Sequence, residues 1–269
     1  QKIAEGAQTS ITGISPIADK DNRTMSLIGV IGGSMIKSIN GRTQYLKATS
    51  ARTNPTPLEN ALSGITQVSI SNMDEAGLPP SLVATASKSV VGSLVGSLDE
   101  GGLSKNEIGG ALKNITSKAV DSLDQIEGVS PSDITSSLKE ITSGATSALD
   151  QIEVSDYSAS DLGEMVQEIS SGATQALGNI KIDGISSDNL SSMMEKVTAG
   201  ATGALGQISM EGYSSSNLTT MLSKITSGAT SALGDIEMEG YSSNNLSLMV
   251  EKITAGATSA LDEIQLEGF

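Results

Sequence analysis

A strict repeat with a period of 28 residues constrains this chain more than any other feature of its sequence. Five aliphatic residues close similar stretches at intervals of 28 residues, at Ile152, Ile180, Ile208, Ile236 and Ile264. Less regular copies end at Val68, Leu98 and Ile126. Self-similarity at a period between about 20 and 50 residues is typical of solenoids and other repeat arrays. The sequence therefore predicts a repeat array rather than a set of unrelated elements.

Each copy combines two hydrophobic periods. In the copy that closes at Ile208, the apolar residues follow a 3.6-residue period and form one stripe of a helix of about twenty residues: Leu190, Met193, Met194, Val197, Ala201, Ala204, Leu205 and Ile208. Alternation then changes to period 2 from Ile208 to Tyr213, which indicates a short extended return segment. We predict a mostly α fold, a solenoid of 28-residue units with one long amphipathic helix and one return segment each.

A curved β/α solenoid with a parallel sheet is the alternative, if the return segments pair as strands. Acidic residues would then stack in one column, at Asp183, Glu211, Glu239 and Glu267. Like charges directly opposite one another destabilise a ladder. Either cations lie along this column, or the return segments are not a hydrogen-bonded sheet, and the sequence favours the second.

Asp or Asn precedes the first apolar helix residue of each regular copy: Asp133, Asp161, Asn189, Asn217 and Asn245. Such residues accept hydrogen bonds from the first free amides of a helix, so this column is interpreted as the N-caps. Asn189, Asn217 and Asn245 also begin Asn-Leu-Ser/Thr sequences, and N-glycosylation is the alternative interpretation. Capping is favoured because it includes the Asp copies.

Glycine recurs in mid-helix, four residues before alanine, in the pairs Gly172 and Ala176, Gly200 and Ala204, and Gly228 and Ala232. Mid-helix glycine costs about 1 kcal/mol relative to alanine, so its repetition predicts a helix-contact strip on which neighbouring helices approach closely. A break in each helix at this glycine is the alternative.

Aromatic side chains are rare, and most occupy one repeat position: Tyr157, Tyr213, Tyr241 and Phe269. Ile185 occupies the same position once. We interpret these residues as a plug that packs beneath the turn before the next helix. An exposed aromatic stripe for ligands is the alternative.

Composition removes most catalytic and metal-binding chemistry. The chain has no histidine and no cysteine, which excludes His- or Cys-ligated metal sites and nucleophiles activated by histidine. The carboxylates recur in register, as on a solvated face, whereas an active site is usually singular. We therefore predict no catalytic residue, no metal ligand and no cofactor, and we expect that the protein is not an enzyme.

Charge divides the chain into a basic head and an acidic body. Residues 1–57 carry seven basic and three acidic side chains, a net charge of +4. Because the whole chain has a net charge of −15, the array at 58–269 carries −19. An acidic body repels phosphates, so nucleic acid is not expected as a partner. The head is predicted to cap the array or to dock onto another subunit through Arg23, Lys37, Arg42, Lys47 and Arg52.

The array itself divides into degenerate copies at 58–140 and regular copies at 141–269. The repeated "GATSAL" and "GYSS" sequences, within about residues 115–269, resemble low-aromatic repeats of surface lipoproteins and adhesin-like proteins of Gram-negative bacteria. This resemblance implies a location at the cell surface. The first residue, Gln1, is typical of a chain from which a signal peptide has been removed, although a mature lipoprotein would begin with Cys.

The longest apolar stretch, residues 25–39, contains Lys37 and is too short to span a membrane. We expect a secreted or cell-surface structural protein that assembles with copies of itself into a filament, tube or layer. An adhesin stalk or ligand-binding repeat module is the alternative.

Overall fold

The chain is mostly helical, as predicted. The computed structural model describes residues 57–75, 77–98, 103, 105–152, 157–181, 185–209, 213–236 and 242–264. These residues form eight α-helices: α1 (Pro57–Ser71), α2 (Pro80–Gly96), α3 (Lys105–Asp121), α4 (Pro131–Ser147), α5 (Ala159–Ala176), α6 (Ser187–Leu205), α7 (Ser215–Leu233) and α8 (Ser243–Ser259). Short 3-10 turns extend four of them, at Leu123–Gln125, Ala148–Gln151, Leu177–Asn179 and Ala260–Glu263.

The β/α alternative is not supported, because none of the described residues forms a strand. At the start of the return segments, Ile152 and Ile180 have extended backbone angles. The four residues of the acidic column, Asp183, Glu211, Glu239 and Glu267, lie outside the described ranges.

The helices pack by alternate members rather than by neighbours in sequence. Each helix makes its most extensive contacts with the helix two places away along the chain, and only limited contacts with the next helix. The helices therefore form two rows, which we call the odd row (α1, α3, α5 and α7) and the even row (α2, α4, α6 and α8). This pairing joins residues about 56 positions apart.

The core is aliphatic and continuous. Buried Leu, Ile, Val, Met and Ala side chains form one cluster that extends from Leu62 in α1 to Ile264 after α8. Fully burying one such large side chain stabilises the fold by about 1.5–3 kcal/mol.

The helices continue through Gly172, Gly200 and Gly228, so the alternative of a helix break at glycine is wrong.

The prediction that Asp and Asn occupy the N-cap is also wrong, by three residues. Serine is the N-cap, and Asp or Asn is the third helical residue of a capping box at α4 to α8. In α6 the Ser186 amide donates to Asn189 Oδ1 at 3.0 Å, and the Asn189 amide donates to Ser186 Oγ at 3.2 Å. The helix begins earlier than its first apolar residue because these reciprocal bonds satisfy two amides that the helix leaves free. Asp133, Asp161, Asn217 and Asn245 occupy the same third position.

Candidate interaction surface

The mid-helix glycines are the points of closest approach within each row. A Cβ atom on Gly200 in α6 would collide with the main-chain oxygen of Lys139 and with Thr142 Oγ1 in α4. Gly172, Gly228 and Gly256 stand in the same way against the helix two places earlier. The paired alanines, Ala176, Ala204 and Ala232, are buried. The glycines thus lie against alternate helices, and not against the next helix in the sequence.

Hydroxyl groups beside the glycines join the same helix pairs. Thr198 Oγ1 in α6 donates to the main-chain oxygen of Ile253 in α8 at 2.9 Å. Ser170 Oγ in α5 donates to the main-chain oxygen of Ile225 in α7 at 3.0 Å. One face of each of the helices α3 to α6 therefore offers a hydroxyl and a carbonyl, and the next helix of the row covers that face with its glycine.

The last helix of the even row presents this face uncovered. We call it the open face of α8, and define it by Leu246, Val250, Glu251, Thr254 and Thr258, all of which are exposed. Leu246 and Val250 keep 38% and 41% of their surface exposed. They are the large hydrophobic side chains that stand out in this way among the described residues.

The residues 56 positions earlier show what the open face lacks. Leu190 and Met194 in α6 are 5% and 0% exposed, and Thr202 is fully buried. α6 packs between α4 and α8, whereas α8 packs against α6 and has no second helix of its row among the described residues. The repeat places similar residues at both sites, so we attribute the difference in exposure to the helix that α8 lacks.

The charged groups beside the open face can be compared with their counterparts in earlier units in the same way. Lys252 Nζ lies 2.8 Å from Glu195 Oε2 in α6, and this hydrogen bond raises the pKa of Lys252. Glu251 is the counterpart of Glu195, and within the described part of the chain no salt bridge to Glu251 is present. Asp150 Oδ1 accepts the Ser209 amide at 2.8 Å. Asp262, the counterpart of Asp150, is exposed.

Among the described side chains of the first two helices, no comparable surface is present. The side chains of Leu62 and Ile65 in α1, and of Val83, Val90 and Leu94 in α2, are at most 2% exposed. The described array is therefore asymmetric, with buried apolar residues at its first helices and an apolar patch on its last.

The two described tyrosines of the repeat position are half-buried against the core. Tyr213 Oη donates to the Tyr157 carbonyl at 3.2 Å, which again links residues 56 positions apart. Partial burial, followed by the charge of Asp161, raises the pKa of Tyr213. Ile185 is also packed against the core. Tyr241 and Phe269 lie outside the described residues.

A cleft of about 480 Å³ opens between α3, α5 and α7 in the odd row. Lys105 Nζ lies 2.8 Å from Asp161 Oδ2 at its edge. The hydrogen bond from Lys105, with those from Ser158, lowers the pKa of Asp161 to about 2. Glu168 and Lys224 also line the cleft.

This cleft is the feature that sequence reasoning missed. Gly109 and Gly163 occupy a repeat position that Thr or Ser fills in other copies, at Thr135, Ser191 and Thr219. Comparing the copies position by position would have revealed this departure. The cleft itself forms only where α3 and α5 pack against each other.

Other predicted features are outside the structure or are not tested by it. The docking residues Arg23, Lys37, Arg42, Lys47 and Arg52 lie outside the described ranges. No group of three or more His, Cys, Asp or Glu residues suited to a metal occurs in the described ranges. Of the helices described, none is long and apolar enough to cross a membrane.

Neither a protein-family model nor a curated protein sequence matches the chain.

Proposed function

We propose that this protein is a non-enzymatic structural component, secreted or at the cell surface, which assembles with copies of itself into a filament, tube or layer. The open face of α8 supports this proposal. Its apolar residues Leu246 and Val250 are exposed, whereas the corresponding residues are buried in α6, at Leu190 and Met194, and in α4, at Ile134 and Leu138. Exposed apolar patches rimmed by polar residues are typical of interaction sites.

The array is proposed to be a solenoid of 28-residue units in which units two apart stack. Hydrogen bonds and ion pairs between residues 55 to 57 positions apart, such as Thr198 with Ile253 and Glu195 with Lys252, support this arrangement. Units that contact in this repetitive way bury one face of each helix against the next unit of the row, and that face of α8 has no covering helix among the described residues. Unfilled faces that meet in a heterologous manner give rings or open polymers.

The proposal is tested by light scattering and negative-stain imaging of the full-length protein at high micromolar concentration. We expect polymers for the wild type and dissociation to monomers for the double variant Leu246→Glu/Val250→Glu. The matched control is Ser216→Glu/Thr220→Glu on α7, which adds the same charge at exposed positions with the same spacing and is expected to assemble normally. Circular dichroism verifies that both variants remain helical. A wild type that is monomeric at this concentration contradicts the proposal.

A ligand-binding module is the second candidate, and the cleft between α3, α5 and α7 favours it. A binding module requires a singular surface that departs from the repeat, and the cleft at Gly109 is such a surface. If the cleft binds a ligand, filling it with Gly109→Tyr should abolish that binding and leave assembly unchanged. Screening small sugars and peptides by ligand-observed NMR, with Gly64→Tyr as the control variant, tests this candidate.

A further inference from the structure

We infer that the apolar stretch at residues 25–39 of a second copy covers the open face of α8. This inference rests on the proposed function, because it names the partner segment of the same assembly. The internal contacts of the even row specify what a suitable segment must provide.

The first requirement is that the partner segment is apolar and has a small residue where it approaches the hydroxyl group of the open face. Where α8 covers α6, Gly256 lies against the main chain at Glu195 and against Thr198 Oγ1. The corresponding groups of the open face are Glu251 and Thr254. A segment with side chains at every position could not approach them closely, so the partner needs glycine among aliphatic residues.

Within the described helices, glycines of this kind are already in use. Gly144, Gly172, Gly200, Gly228 and Gly256 each stand against the helix two places earlier. The same helices of a second copy cannot offer them again without leaving their own row. A partner segment from another part of the chain leaves these internal contacts intact.

The stretch "MSLIGVIGGSMIKSI" at residues 25–39 combines the required residues. It contains three glycines, Gly29, Gly32 and Gly33, among Leu, Ile, Val and Met. It belongs to the part of the sequence that lies outside the repeats, so the repeat does not assign its apolar residues to a core position.

Charge complementarity gives the second requirement. Lys252 is paired with Glu195, whereas Glu251 and Asp262 beside the open face are exposed acidic groups. The incoming segment carries Lys37 and is followed by Arg42, within a region of net charge +4. Asp150 accepts a main-chain amide from two units later, so Asp262 can accept a main-chain amide or a basic side chain of the partner. Opposite charges steer such an encounter and set its orientation.

Cysteine cross-linking of full-length protein tests the inference, because the natural chain has no cysteine. Val250→Cys is mixed with Ile28→Cys, Ile31→Cys or Met35→Cys, and the mixture is oxidised mildly. Three positions are used so that the test does not depend on one register. We expect a disulfide-linked heterodimer with at least one of them, about ten times more abundant than with the control Ser216→Cys.

The outcomes separate the two proposals. If the wild type assembles but Val250→Cys forms no more heterodimer than Ser216→Cys, the inference is wrong and self-assembly stands. If Val250→Cys links mainly to itself, two open faces pair with each other, and the inference is again wrong. If the wild type is monomeric at high micromolar concentration, the proposed function fails and this inference fails with it. A second measurement, assembly of Gly32→Val/Gly33→Val, should be abolished if glycine provides the close approach.

Discussion

Thr198 and Ile253 are 55 residues apart in the sequence, and the hydroxyl of the first donates to the main-chain oxygen of the second at 2.9 Å. Gly256, one helical turn after Ile253, is the residue that allows this approach, because a side chain there would meet Thr198 Oγ1. Ser170 and Ile225 repeat the relationship in the odd row at 3.0 Å. The contact between alternate helices is therefore specified by a hydroxyl and a glycine acting together.

Replacing a contact glycine should destabilise the protein. In Gly200→Ala the new methyl group meets the main chain at Lys139, which cannot rotate away as a side chain could. We expect a net loss of about 1–3 kcal/mol in the free energy of unfolding, which is typical of overpacking. Urea denaturation measures it.

The control is Gly64→Ala in α1, where a Cβ would have no neighbour within 4 Å. Alanine is the better helix former, so this variant should gain about 0.5–1 kcal/mol. Equal effects of the two substitutions would show that helix propensity, and not close approach, governs both positions.

The hydroxyl of Thr198 should contribute to stability, and that of Thr202 should not. Thr198→Val removes the bond to Ile253, and we expect a loss of about 1 kcal/mol. Thr202 Oγ1 is buried without a hydrogen-bond partner, so Thr202→Val should be neutral or stabilising because it removes a desolvated polar group. Thermal unfolding of the two variants gives the comparison, and a larger loss from Thr202→Val would contradict it.

Asn189 should stabilise α6 through its side-chain oxygen, which accepts the amide and the hydroxyl of Ser186. Asn189→Ala should cost about 1 kcal/mol by opening the capping box. Asn189→Asp should leave stability within a few tenths of a kcal/mol, since Asp133 and Asp161 make the same bonds. Because Asn189→Asp also removes the glycosylation sequence, equal losses from both variants in glycosylated protein would instead favour the sugar.

Asp161 should contribute to the acid sensitivity of the fold. Its pKa of about 2 in the folded protein is below the ordinary value of 3.8 for an aspartate, so the unfolded chain binds more protons between these pH values. The contribution is fully present above about pH 4 and is lost as the pH falls through about 2. NMR titration of the Asp161 carboxyl carbon should give a midpoint near pH 2, and Lys105→Met should raise it. A midpoint that Lys105→Met leaves unchanged would contradict this assignment of cause.

The sequence predicts the local structure well and the pairing of the helices poorly. The 3.6-residue period from Leu190 to Leu205 lies within helix α6, because a stripe of apolar residues is a property of one segment. The predicted helix start is three residues late, because the polar residues from Ser186 to Asn189 carry no apolar period and the reciprocal bond of the capping box depends on geometry. The cleft is not predicted because Gly109 lies beside Glu168 of α5 and Lys224 of α7 only after alternate helices stack.

By itself the sequence determined that this chain is a repeat of amphipathic helices with an aliphatic core, since period and composition act within each unit. Only the tertiary structure decided which units meet. A repeat makes every copy nearly equivalent, so the sequence cannot distinguish contact with the next helix from contact with the one after it. Packing decides between them, and it places Gly200 of α6 against the main-chain oxygen of Lys139 and the hydroxyl of Thr142 in α4. The same packing leaves Leu246 and Val250 exposed on the last helix, although their counterparts in α6 are buried.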